Sequence, residues 1–131
     1  MVIERLEKTV YGAEFQAALT SSAAELGFEI QGEAISRGDE KYRVKKMDEF
    51  KHEHGQGGHS LDSFILFKVN KEEKKVLETR NYTSWTTYSD DSEDHTMVNE
   101  HSLTIYSEDQ LARAVFEKCK GGGENGKDNV K

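Results

Sequence analysis

A chain of 131 residues, 34% hydrophobic and 33% charged, is long enough for one domain with a thin core and a strongly hydrated surface. Its net charge of −7 argues against general nucleic-acid binding, in which lysine and arginine displace counterions from phosphates. No apolar run approaches the roughly 20 residues that cross a bilayer, and a single cysteine with a charged N-terminal segment predicts a cytoplasmic protein without a signal peptide.

The first third of the chain predicts a strand, a helix and a second strand. Residues 1–10 fit both strand and helix spacing, and we interpret them as a strand. From Ala13 the apolar residues recur on one helical face until Gly27, which suits a left-handed C-cap. Between residues 28 and 35 the alternation slips at Gly32, which favours one kinked strand with a bulge.

The middle of the chain predicts a hairpin, a loop and a buried strand. Residues 37–40 form a compact turn, and residues 41–47 alternate as the second strand of the hairpin. The polar, glycine-rich residues 51–60 are typical of a loop. Residues 61–69 are almost continuously apolar, which predicts a central strand covered on both faces.

The last third predicts two strands and a helix. Residues 76–88 and 97–106 have strand composition, and the acidic residues 89–95 between them form a loop. Ser107 and Gln110 match a capping box, so the final helix is predicted to begin with serine as its N-cap.

These elements predict an α+β fold. We expect a mainly antiparallel sheet of four to five strands with an N-terminal and a C-terminal helix packed on one face. Residues 121–131 are rich in glycine, asparagine and charge, which favours a disordered tail after a single domain at 1–120.

The strongest candidate site is a protein interface around the acidic loop. Strand alternation places Tyr82 and Trp85 on opposite faces, so one of the two faces is free to present aromatic groups. Tyrosine and tryptophan anchor many interfaces, and carboxylates steer a basic partner. Otherwise the tryptophan is ordinary core and the acids only solvate a loop. The predicted partner-binding residues are Tyr82, Trp85, Tyr88, Asp90, Asp91, Glu93 and Asp94.

A second candidate is a metal site in the glycine-rich segment. Imidazoles in an extended segment could share a face and bind a divalent transition metal such as zinc, nickel or copper. The spacing is generic, and a hydrated polar loop has the same composition. The candidate ligands are His52, His54 and His59.

The sequence gives little support for nucleophilic catalysis or for nucleic-acid binding. Cys119 lies on the predicted buried face of the last helix, which suits a core residue better than a nucleophile. Lys41, Arg43 and Lys45 share a strand face, but no nucleic-acid motif accompanies them, and pairing with nearby acids is the simpler interpretation.

The sequence therefore favours a non-catalytic domain that binds a basic protein surface, such as an inhibitor, an immunity-type protein or an adaptor. No cofactor and no membrane contact are expected, and pairing of exposed strand edges leaves a homo-oligomer open. The alternative is a metal- or small-ligand-binding domain that uses the histidine-rich loop 52–59.

Overall fold

The computed structural model describes the backbone of residues 1–53, 57–86 and 96–128. They form a seven-stranded sheet and two helices, and every strand pair in the sheet is antiparallel. The strands lie in the order β1-β7-β6-β5-β4-β3-β2. The α+β class and the antiparallel sheet are thus confirmed. In chain order the elements are β1 Glu4–Leu6, α1 Gly12–Leu26, β2 Glu29–Gln31, β3 Ala34–Arg37, β4 Glu40–Glu53, β5 Gly57–Val69, β6 Glu73–Thr86, β7 Thr96–Ile105 and α2 Gln110–Asp128.

The predicted number of four to five strands was wrong, because the segment around Gly32 is a hairpin and not a kinked strand. Gln31 pairs with Ala34, which leaves only Gly32 and Glu33 in the turn. Gly32 has φ 62°, in the left-handed region that such turns require and that glycine adopts without steric cost. Strands of three and four residues are too short to show alternation, so a turn and a bulge produce the same slip.

The predicted loop at 51–60 was also wrong for residues 51–53 and 57–60, and residues 54–56 lie outside the described residues. Lys51–Glu53 continue β4 and Gly57–Ser60 begin β5, and Glu53 pairs with Gly57. The glycines belong to the pairing of these strands: a side chain at Gly58 would overlap the carbonyl oxygen of Lys51 and approach the Trp85 ring to 2.9 Å. Close packing explains why glycine is needed at position 58.

The strand predicted at 61–69 is the middle strand of the sheet, as expected. Phe64 and Leu66 face the core with relative exposures of 4% and 0%, and Ile65 on the opposite face is only 7% exposed. Side chains of both helices and of strands β3–β7 join Phe64 and Leu66 in one hydrophobic cluster. The hydrophobic cluster therefore packs against the half of the sheet that includes the β5–β6 turn.

The first helix agrees with its prediction. Gly27 is the C-cap with φ 83°, and its N–H points back to the carbonyls of the last turn. Phe15 of α1 stacks on Phe64 of β5 with ring centroids 5.1 Å apart. The helix is therefore tied to the middle of the sheet.

The second helix has a different N-cap from the one predicted. The side chain of Asp109, and not that of Ser107, accepts a hydrogen bond from the N–H of Ala112 at 3.1 Å. The capping-box pattern was misleading because two acids follow the serine, and the second is the one that the fold places at the helix start. The backbone of α2 is helical to Asp128 and residues 129–131 lie outside the described part, so the domain boundary and the tail stay predictions.

Candidate docking surface

The four central strands run on beyond the buried cluster. Glu53 pairs with Gly57 and Thr86 pairs with Thr96, so the β4–β5 and β6–β7 connections emerge at one end of the sheet. We call this the distal end. The β3–β4 and β5–β6 turns mark the opposite, proximal end.

Apolar side chains are exposed at the distal end, on the same face of the sheet as the core. Trp85 is in register with Gly58 and Met97, Gly58 is in register with His52, and Phe50 lies one pleat away from His52. Phe50 is 71% exposed and Met97 is 65% exposed. We define the distal patch as Phe50, His52, Trp85 and Met97.

The rings of the distal patch lie against one another around Gly58. The Trp85 ring centroid is 6.1 Å from that of Phe50 and 6.2 Å from that of His52, with which it is stacked. Because Gly58 has no side chain, the indole can lie close to the backbone between its neighbours. The result is an aromatic surface in which the Trp85 ring packs near Gly58 and remains partly exposed to solvent.

Tyr82 lies on the opposite face, as the alternation predicted. Its ring centroid is 6.0 Å from that of His59, and the Arg80 guanidinium lies 5.3 Å over it. His59 Nε2 also lies 3.4 Å from a Glu49 carboxylate oxygen. Both Tyr82 and Trp85 are only partly buried, so neither face of β6 is core at this end.

The acidic half of the predicted interface lies outside the described residues. Tyr88, Asp90, Asp91, Glu93 and Asp94 belong to the segment 87–95. The pair Thr86–Thr96 fixes where that segment leaves and rejoins the sheet, next to the pair Trp85–Met97. Four carboxylates therefore lie within nine residues of Trp85 along the sequence.

Of the histidine candidates, His52 and His59 lie on opposite faces of the sheet. His52 stacks on Trp85, whereas His59 contacts Tyr82 on the other side of the sheet. His54 lies outside the described residues. Across the part of the chain that the structure describes, no three His, Cys, Asp or Glu side chains are grouped closely enough to hold a metal ion.

Two further residues from the sequence analysis have structural explanations. Cys119 is fully buried, and burial together with the charge of Glu14 raises the pKa of its thiol to about 12. Arg43 pairs with an acid, Glu73 of β6, at 2.6 Å and lies over the Phe67 ring. Cys119 is therefore a core residue, and Arg43 forms an ion pair at the surface.

Sequence reasoning missed Phe50 and Met97. Residues 46–52 alternate as Lys46, Asp48, Phe50 and His52 on one face, but the nearby glycines made the segment look like a loop. Continuing the strand alternation past Met47 would have placed Phe50 on the same face as Trp85.

Comparison of the chain with protein-family models, with curated proteins and with solved structures found no match. Neither helix of the described ranges is long and apolar enough to span a membrane.

Proposed function

We propose that this chain is a non-catalytic protein-binding domain that docks its distal end onto a basic protein surface, in the manner of an inhibitor, an immunity-type protein or an adaptor. The observation that carries the proposal is the exposure of Phe50 and Met97 beside Trp85. A chain with so few hydrophobic residues leaves these large apolar groups in water at one place. Aromatic residues and methionine are the types enriched where proteins bind proteins.

We infer that both helices cover one face of the sheet and stop short of the distal patch. Phe15 of α1 stacks on Phe64, and Asp109 at the start of α2 bonds to Tyr42. Phe64 and Tyr42 share the face that carries Trp85, because they are separated from it by even steps of the pleat. On this arrangement the distal patch continues the core face where no helix covers it.

The charge of the adjacent segment supports a basic partner. Asp90, Asp91, Glu93 and Asp94 place four carboxylates in a connection that begins and ends beside the patch. Such a cluster speeds encounter with a positively charged surface and loses its effect as salt rises. The aromatic groups would then provide most of the binding energy after contact.

The same proposal places the protein in the cytoplasm, where a single buried thiol needs no partner. His52 and His59 extend from opposite faces of the sheet, so these two imidazoles give the metal-binding alternative no support.

The first test uses the full chain as bait in an extract of its native host, beside the double variant Phe50→Ala, Trp85→Ala. Proteins retained by the wild type and lost from the variant are the partners that the proposal requires. Ile30→Ala, which removes a 40% exposed apolar side chain from the edge strand β2, is the matched control and should retain them. Retention of the same proteins by the double variant would contradict the proposed surface.

The second test measures association with a purified partner by biosensor. Asp90→Asn, Asp91→Asn, Asp94→Asn should slow association by about tenfold at low salt and flatten its salt dependence. Glu29→Gln, Glu33→Gln, Asp39→Asn changes the net charge equally at exposed sites away from the distal end and is the control. Phe50→Ala should instead raise the dissociation rate, with a loss of about 2 kcal/mol. Equal effects of the two charge triples would mean that net charge, and not the distal acids, drives association.

A further inference from the structure

A groove at the proximal end of the molecule concentrates positive charge on this acidic protein. It lies between the β5–β6 turn and the segment that leads into α2, and its volume is about 620 Å³. Cavities of roughly 300–1,000 Å³ are typical of small-molecule sites. The lining residues are Lys68, Asn70, Lys71, Glu72, Lys74, Val76 and Ser107.

Two of these lysines face each other across the sheet. Lys68 of β5 is in direct register with Lys74 of β6. Like charges in directly opposed positions destabilise a strand pair. The fold places two lysines in opposed positions here, although the chain contains many more acids than bases.

The ammonium group of Lys68 is positioned by an ion pair with buried Asp109. Lys68 Nζ lies 2.8 Å from a carboxylate oxygen of Asp109, which is itself held by Tyr42 and by the N–H of Ala112. The Lys68 side chain is 27% exposed, so the positioned ammonium still reaches the groove. A fixed cation costs a ligand less ordering entropy than a freely moving one.

The other two lysines are largely uncommitted. Lys74 lies 3.7 Å from Glu72, and both side chains are more than 70% exposed, so this pair is weak. Lys71 forms neither an ion pair nor a side-chain hydrogen bond with any of the described residues. Asn70 and Ser107 add neutral hydrogen-bond donors to the lining.

We propose that this groove binds a small soluble anion that carries a phosphate group. Three ammonium groups and one carboxylate, that of Glu72, line the concavity, which leaves the lining positive and suited to a phosphate dianion, to which lysine binds as a point charge. The bound anion would also relieve the repulsion between Lys68 and Lys74. The site is independent of the docking surface: β6 joins the two ends through 14 residues, a distance of about 45 Å.

The proposal is tested with the full chain and inorganic phosphate, at constant ionic strength maintained with potassium chloride. Phosphate should raise the melting temperature and shift the amide resonances of residues 68–76 and 107, whereas acetate at equal concentration should do neither. Lys71→Ala and Lys74→Ala should each weaken phosphate binding by about tenfold. Lys45→Ala, an exposed lysine on the opposite face of the sheet, should bind phosphate like the wild type.

The ligand-free variants separate a binding site from ordinary surface lysines. Without phosphate, Lys74→Ala should melt about 1–3 °C above the wild type, because one member of the repelling pair is gone. If these lysines only improve solubility, phosphate should leave the melting temperature and the amide resonances unchanged. The proposal is overturned if phosphate and chloride act alike on the wild type, or if Lys45→Ala weakens phosphate binding as much as Lys71→Ala does.

Discussion

Asp109 connects the last helix to the sheet through a single buried carboxylate. Tyr42 Oη lies 2.7 Å from both carboxylate oxygens, Lys68 Nζ donates at 2.8 Å, and the N–H of Ala112 donates at 3.1 Å. Burial alone would raise the pKa of this carboxyl, but the hydrogen bonds from Lys68, Ala112 and Tyr42 outweigh it and lower the pKa below its ordinary value. Burial and the bond to Asp109 likewise raise the pKa of Tyr42 well above its ordinary range.

Replacing this carboxylate is expected to be costly at neutral pH. Asp109→Ala removes a helix cap and leaves Tyr42 and Lys68 without their acceptor, so we expect a loss of about 2–4 kcal/mol in urea unfolding. Because the folded-state pKa is lowered, the stabilisation is complete above the unfolded pKa of about 4 and is lost as the pH falls below it. The difference between wild type and variant should therefore shrink in acid. Ser107→Ala, at the N-cap that the sequence suggested, should change stability by less than about 0.5 kcal/mol, and a larger loss there would contradict the assignment of the cap.

The β2–β3 hairpin depends on one glycine conformation. A methyl group on Gly32 would meet no atom within 4 Å, so the cost of Gly32→Ala comes only from its φ of 62°. We expect a loss of about 1 kcal/mol, and a similar loss for Gly38→Ala, whose φ is 61° in the β3–β4 turn. Gln31→Ala, an exposed neighbour, should stay within about 0.5 kcal/mol. If Gly32→Ala is neutral in urea unfolding, the turn tolerates another geometry and the hairpin assignment weakens.

Elements with strong local signals could be predicted, and elements defined by their partners could not. The helix that ends at Gly27 and the apolar strand at 61–69 carry their own periodicity and cap. The strand character of Lys51–Glu53 comes from pairing with Gly57–His59, and the glycines among these partners made the segment resemble a loop. The same error removed Phe50 from the predicted interface, while Trp85, whose strand was recognised, was included.

At the scale of the whole molecule, the predicted domain boundary after residue 120 can be tested by truncation. Lys120 lies 3.5 Å from Glu4, and Lys8 donates to the carbonyls of Cys119 and Lys120, whereas residues 121–131 contain one apolar residue, Val130, among glycine, asparagine and charged residues. A chain truncated after Lys120 should therefore melt within about 2 °C of the full chain. Truncation after Phe116, which also removes buried Cys119, is the contrasting variant and should melt much lower. A large loss on removal of residues 121–131 alone would show that the domain extends into the tail.

The uneven cover of the sheet predicts uneven stability along single strands. Leu66 and Leu77 pair within the buried cluster with 0% exposure, whereas Ser60 and Thr83 pair near the distal patch, where side chains are half-exposed. Local opening costs least where little apolar surface is buried, so hydrogen-bonded amides in 58–61 and 83–85 should exchange at least about a hundredfold faster than those in 64–66 and 77–79. Hydrogen exchange followed by NMR checks this in the isolated protein. Binding of the proposed partner should slow exchange selectively at the distal amides, because docking would bury side chains that are exposed in the isolated protein. Uniform protection along β5 and β6 would mean instead that the distal end is already as stable as the core, and that the sheet opens only when the whole domain unfolds.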